Sequence, residues 1–220
     1  MRLLYLNPNS SEHMTTSIVD VARKTLPRAE IIGWTNHGAP PAIQGPEDGM
    51  AAVSGLMAQL PAAKSLGADA IIIACFDDTG LEEMRAAAHC PVLGIGQAAC
   101  ATATLLGLPY AIVTTLQVSV PVIEQNVHRT GYGGLCTSVR ASDLSVLTVE
   151  AGGDAVCNRL AEVIRDAADT EGAQVAILGC AGMATLKPKL EHLVSLKLID
   201  GVEASAHLAA AMASMGRTGS

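Results

Sequence analysis

The chain has 220 residues, with 14 Lys and Arg against 21 Asp and Glu, for a net charge of −7. Half of it is hydrophobic but only 2% is aromatic, so a core of Ala, Val, Ile and Leu is expected, in one large domain or two small lobes. Such a chain lacks both the electrostatic footprint and the stacking platform of a nucleic-acid binder, and with 16% charged residues it is not a disordered one.

Residues 3–6 form a short apolar run with no cleavage-like site after it, and read as a first strand rather than a signal peptide. No run of about 18 apolar residues is present, so no membrane span is expected. Asn7-Pro8-Asn9-Ser10-Ser11 follows as a turn and helix cap, and amides and hydroxyls at a helix start can also hold a carbonyl or carboxylate oxygen. Residues 14–24 and 50–66 carry apolar side chains at helical spacing. Between them, Pro40-Pro41-Ala42-Ile43-Gln44-Gly45 is a rigid loop, either a plain connection or a cover for a ligand. Residues 70–74 read as a buried strand leading into Cys75-Phe76-Asp77-Asp78-Thr79-Gly80. Thr79-x-x-Glu82 has the form of a capping box and predicts a helix just after Cys75, whose dipole would favour a thiolate there. Asp77 and Asp78 would oppose it.

Residues 91–95 predict another strand, running into Gly94-x-Gly96-x-x-Ala99. That pattern matches a dinucleotide fingerprint, but it lies mid-chain and lacks an acid about 20 positions on, so no nucleotide cofactor is expected. Residues 111–115, 175–178 and 196–199 complete the apolar strands, and residues 154–170 and 204–215 read as helices. Loops are expected at 131–134 and 151–153. Strands alternating with helices predict an α/β fold with parallel sheets flanked by helices.

Residues 67–75 can be laid over residues 172–180 at an offset of 105, which places Cys75 over Cys180. The same offset places Asn9 over Thr114 and Ser10 over Thr115, each at the end of an apolar run. One residue further, Pro91-Val92-Leu93-Gly94-Ile95-Gly96-Gln97 falls over Lys197-Leu198-Ile199-Asp200-Gly201-Val202-Glu203. Two halves of similar design, related by a pseudo-two-fold axis, are expected. Ligands of open parallel sheets sit at the carboxyl ends of strands, so Cys75 and Cys180 would approach one cleft from opposite sides.

Taken singly, each of these cysteines reads as a small buried hydrophobe. As a pair in equivalent places of a repeat, they point to chemistry. Two opposed thiols suit proton abstraction beside a carbonyl: one thiolate takes a hydrogen from one face of a carbon, and the other thiol returns a proton to the opposite face. The result is inversion without a cofactor, by groups whose ordinary pKa leaves a usable thiolate fraction near neutrality. The histidines at 13, 37, 89, 128, 192 and 207 have no H-x-x-x-H or H-E-x-x-H spacing, and no metal is expected. Cys90, Cys100, Cys136 and Cys157 are read as packing residues, reduced in a cytoplasmic protein.

In Asn7-Pro8-Asn9-Ser10-Ser11, Ala74-Cys75-Phe76-Asp77-Asp78, Val113-Thr114-Thr115-Leu116, Leu178-Gly179-Cys180-Ala181-Gly182-Met183 and Ile199-Asp200-Gly201-Val202, the chain resembles the aspartate/glutamate/hydantoin racemase superfamily, and within it the hydantoin racemases. The resemblance implies a cofactor-independent isomerase acting on 5-monosubstituted hydantoins at C5, with Cys75 and Cys180 as acid/base thiols. It implies substrate binding by Asn9, Ser10, Thr114 and Thr115, by Phe76, Asp77, Ala181 and Gly182 after the cysteines, and by the Ile43-Gln44 loop around the substituent. It implies an N-terminal lobe of residues 1–105 with a returning segment of about 205–220, a C-terminal lobe of residues 106–204, and a homo-oligomer with a small-molecule substrate and no nucleic-acid or membrane partner. Gln97 departs from the pattern, standing where hydantoin racemases usually have Glu, whereas Glu203 keeps the acid in the other half. The rival expectations are an allantoin racemase, an isomerase of a carboxylate such as aspartate or glutamate, and a small-ligand-binding protein on the same scaffold.

Overall fold

Two four-stranded sheets, each wholly parallel, divide the chain between them. A computed structural model describes residues 1–215. The first half contains β1 (Arg2–Asn7), α1 (Glu12–Thr25), β2 (Glu30–Thr35), α2 (Pro46–Leu66), β3 (Ala70–Ile73), α3 (Leu81–Ala87), β4 (Val92–Gly94) and α4 (Ile95–Leu106). The second contains β5 (Tyr110–Thr114), α5 (Val120–Arg129), β6 (Cys136–Ala141), α6 (Val146–Ala151), α7 (Asp154–Glu171), β7 (Val175–Leu178), α8 (Lys187–Leu190) and β8 (Lys197–Asp200), and α9 (Gly201–Met215) follows.

The strand orders are β2-β1-β3-β4 and β6-β5-β7-β8. The internal repeat is thus a duplicated topology, strand for strand. Tyr5 of β1 lies opposite Ile72 of β3, and Ile112 of β5 lies opposite Ile177 of β7. All four central strands bury nearly every side chain, because helices cover both faces of each sheet, and this gives them unbroken apolar runs. The edge strands β2 and β6 went unread in the sequence. Glu-Ile-Ile-Gly-Trp-Thr and Cys-Thr-Ser-Val-Arg-Ala are half-exposed and mixed in polarity, so they carry no such run.

After β8 the chain returns to the first sheet, where α9 packs on α1, α4 and β3. The Tyr5 hydroxyl reaches the Val202 carbonyl at 3.3 Å and the Ser205 hydroxyl at 3.2 Å, tying this helix to β1. Residues 216–220 of the expected returning segment lie outside the described residues. Among the described residues no helix is long and apolar enough to cross a membrane.

Candidate active site

In a sheet ordered 2-1-3-4 the chain turns opposite ways from its two central strands, leaving a crevice at their carboxyl ends. In the first sheet that crevice lies after β1 and β3, where Asn9 and Cys75 stand. In the second it lies after β5 and β7, where Thr114, Thr115 and Cys180 stand. The two crevices face each other across one cavity, which Cys75 and Cys180 line together with Asn9, Ile43, Phe76, Asp77, Thr114, Thr115 and Ala181. The expected residues Ser10, Gln44 and Gly182 do not line it, whereas Met14, Ser119 and Val146 do. Met14 and Val146 belong to helix faces whose spacing signals only burial, and Ser119 lies in a 3-10 turn before α5, so none carried a chemical signal.

The cavity is narrow. Its volume is about 20 Å³, room for about one water molecule, although Cys75 and Asp77 keep partial exposure while Cys180 is buried. Contacts tie the halves together around it: the Val146 N–H donates to Gln44 Oε1 at 3.1 Å, the Ser11 hydroxyl to Glu150 Oε1 at 2.7 Å, and the Asn126 amide to the Asp77 carbonyl at 2.8 Å. Gln44 and Ser11 thus join the halves and do not line the site. A wider cleft of about 710 Å³, walled by α1, α9 and β8, touches neither thiol.

Much of the expected polar machinery is engaged internally. Asn9 Oδ1 accepts from Asn7 Nδ2 at 2.8 Å and from the Ser11 N–H at 2.9 Å, and its Nδ2 points at Met14 Sδ. The Thr114 hydroxyl donates to the Gly179 carbonyl at 3.1 Å, bracing the strand end that carries Cys180. Gly179 itself lets the backbones approach: a side chain there would meet the Val113 carbonyl at 2.7 Å.

The helix expected after Cys75 is present as α3, but its cap is different. It begins at Leu81, its cap is Gly80 at φ 69°, and the Thr79 side chain caps nothing. Burial pushes both thiols up: Cys75 well above the ordinary thiol, with the Asp77 carboxylate adding to the effect, and Cys180 to about 12. Both shifts run against the usable thiolate fraction expected from an ordinary cysteine. The N–H of Asp77 favours the Cys75 thiolate and the N–H of Gly182 that of Cys180, the same device two residues after each cysteine. Asp77 is itself largely buried and rises to about 7.

Asp78 faces away from the thiols. Its carboxylate accepts the N–H groups of Gly96 and Gln97 at 2.9 and 2.7 Å, so the start of α4 is capped by an internal anion. It occupies the space a side chain at Gly94 would need, with Oδ1 only 1.9 Å from that position. The Gly94-x-Gly96 pattern is thereby explained as room for Asp78 and the Phe76 carbonyl, and not as a phosphate cradle. In the other half Asp200 stands where Gly94 stands in the first, and accepts from the Glu203 N–H at 2.9 Å. Gln97 lies outside the cavity and accepts from Arg85, while Glu203 pairs with Lys187 at 3.1 Å. The departure at Gln97 therefore alters a peripheral contact.

All six cysteines are free. Among the described residues no group of three or more His, Cys, Asp or Glu side chains is placed to hold a metal ion.

A model of the family described as Asp/Glu/Hydantoin racemase matches residues 3–209. A hydantoin racemase of Rhizobium meliloti is 36% identical over 217 residues, 98% of this chain and 90% of that protein. Two solved structures share the fold closely. An allantoin racemase from Klebsiella pneumoniae has a TM-score of 0.92 and 33% identity, covering 98% of this chain and 89% of its own. One from Pseudomonas fluorescens has a TM-score of 0.93 and 32% identity, covering 98% and 92%.

Proposed function

We propose, since this chain belongs to the Asp/Glu/hydantoin racemase family and is an isomerase, that it racemises 5-monosubstituted hydantoins at C5 through Cys75 and Cys180, without a cofactor. The observation that carries this reading is a small cavity holding one thiol from each half, lined among the described residues by no lysine or arginine and containing one largely buried acid, Asp77. A carboxylate substrate would enter it unneutralised and next to that acid. A hydantoin is a neutral ring and suits it.

C5 lies between a carbonyl and a ring nitrogen, so its proton is acidic enough for a thiolate to remove. The S–H bond forms at one sulfur as the C5–H bond breaks. The electron pair passes into an enolate whose oxygen meets the donors lining the cavity, Thr115 and Ser119 among them. The S–H bond of the opposite thiol then breaks, returning a proton to the other face and leaving a thiolate there. Because burial in the narrow cavity disfavours a thiolate, the ionised sulfur forms while the halves are parted and water reaches it. Closure on the ring then seals the reaction from solvent. The narrowness of the cavity supports this order, since a ring much larger than one water needs the halves to part, and the Gln44–Val146 and Ser11–Glu150 contacts are among those that join them.

Allantoin is a hydantoin with a ureido group at C5, and the likeness to allantoin racemases places it among the substrates to be tried. The experiment is chiral chromatography in D₂O on single enantiomers of benzyl-, alkyl- and ureido-substituted hydantoins, with L-aspartate and L-glutamate beside them. Racemisation with deuterium entering at C5 of a hydantoin is expected. Turnover of the amino acids alone would overturn the neutral-ring reading.

A further inference from the structure

The two halves share one device at their cysteines and differ in another. Each cysteine has a backbone N–H two residues on that favours its thiolate, from Asp77 in one half and Gly182 in the other. Four residues on, the halves part. Cys75 is followed there by Thr79, and Cys180 by Ala184. Thr79 is 7% exposed, and its hydroxyl oxygen is buried with no hydrogen-bond partner. A buried hydroxyl left unpaired is costly and calls for an explanation.

Its position is held firmly. Asp78, immediately before it, adopts φ 50°, and its carboxylate is anchored by the amides of Gly96 and Gln97. The Asp78 N–H donates to the Cys75 carbonyl at 3.1 Å, closing a turn over residues 75–78 immediately before Thr79. The Thr79 hydroxyl favours the ionised form of the Cys75 thiol without making a formed hydrogen bond to it, and the charged or titratable groups facing that sulfur are Asp77 and Cys180. Asp77 opposes the thiolate at Cys75 more than any other charge.

We propose that Thr79 is a positioning residue for Cys75: its otherwise unpaired hydroxyl donates to the sulfur when the thiolate forms, offsetting the Asp77 charge in the half where that charge weighs most. Cys180 manages without the hydroxyl, and Ala184 fills the equivalent place with a methyl group. The catalytic meaning of this contact rests on the two-thiol reading of the site, but the contact is testable without turnover.

The test is alkylation of the full chain by iodoacetamide at a fixed pH below both thiol midpoints, with the Cys75 and Cys180 peptides quantified separately by mass spectrometry. Cys180 serves as the internal standard for access to the shared cavity. Thr79→Val keeps the shape and removes the hydroxyl. It should slow Cys75 roughly tenfold relative to Cys180, the effect of about one pKa unit from a lost hydrogen bond to a charged group. Thr79→Ser should retain the wild-type ratio. Thr79→Ala, which copies the other half, should behave as Val does and replaces it if Val disturbs folding. Where the hydantoin activity is present, the acid limb of the kcat/KM profile should move up by about one unit in Val and stay in place in Ser. An unchanged Cys75 to Cys180 ratio in both Val and Ala overturns the proposal, as does a fall in Ser equal to that in Val. Absence of racemisation in the wild type, with the ratio behaving as stated, would refute the function and leave the contact standing.

Discussion

Replacing Asp77 by Asn should stabilise this protein, and more so in alkaline solution. The carboxyl is buried in the thiol cavity and holds its proton up to about 7, against 3.8 for an ordinary aspartate. The folded state therefore binds more protons than the unfolded chain between those values. The associated stability is complete below about 3.8 and is lost as pH rises through about 7. The gap of about three units, at about 1.4 kcal/mol each, makes the ionised group cost the folded state about 4 kcal/mol at pH 8. At pH 5 the folded group is protonated and the unfolded one ionised, and the cost is about 1.5 kcal/mol. Asparagine has the same shape and no proton to release. For a chain of this size each kcal/mol moves Tm by about 2–4 °C, so Asp77→Asn should raise Tm by about 8–16 °C at pH 8 and about 3–6 °C at pH 5. Asp200, also raised to about 7 by burial, is present in both proteins and cancels, whereas Asp78, raised to about 7 mainly by burial and also by Asp77, is relieved in the same direction when that charge is removed. Differential scanning fluorimetry at the two pH values measures it. An equal shift at both, or a lower Tm at pH 8, would refute the assignment of Asp77 as an uncompensated buried acid.

Asp78→Ala should destabilise the fold by about 2–4 kcal/mol, because the Gly96 and Gln97 amides lose their acceptor inside the protein. Asp78→Asn, which keeps one acceptor oxygen, should recover part of that loss, and thermal unfolding at pH 6 separates the two. Gln44→Ala removes the acceptor of the Val146 N–H between the two halves and should speed alkylation of both thiols by about two- to tenfold. Unchanged rates would show that this contact does not restrain access to the cavity. Cys75→Ser and Cys180→Ser should each lower racemisation by about 10²-fold or more, while proton exchange on one enantiomer persists. A serine variant racemising at the wild-type rate would rule out the two-thiol mechanism.

The parallel strands at the centre of each sheet were legible because burial on both faces leaves only apolar residues in their runs, as in residues 70–73 and 175–178. The duplication was legible for a related reason: two halves that must present equivalent strand ends keep the same spacing from apolar run to cysteine. That spacing brought Cys75 and Cys180 forward, and with the surrounding motifs it carried the resemblance to the racemases. The edge strands β2 and β6 were not legible, since a half-exposed strand such as Cys136–Ala141 needs no periodic apolar pattern, whereas the edge strands β4 and β8 are short and mostly buried and kept their apolar runs.

Three matters at the site depended on contacts between residues distant in sequence. The halves are joined around the cavity by Gln44 with Val146 and by Ser11 with Glu150, pairs more than 100 positions apart. Asp78 was read as a charge beside Cys75, but it belongs to the start of α4, because the missing side chain of Gly94 leaves it room there. Thr79 had the spacing of a cap, yet the chain enters α3 through Gly80 and leaves the hydroxyl buried without a partner. By itself the sequence determined the strand periodicity, the repeat and the equivalent placing of Cys75 and Cys180 within it, because each is written in local spacing. Only the tertiary structure decided how far those thiols are removed from water, and which polar groups remain to answer their charge. Desolvation and pairing depend on what folds against a residue, and its neighbours along the chain do not specify that.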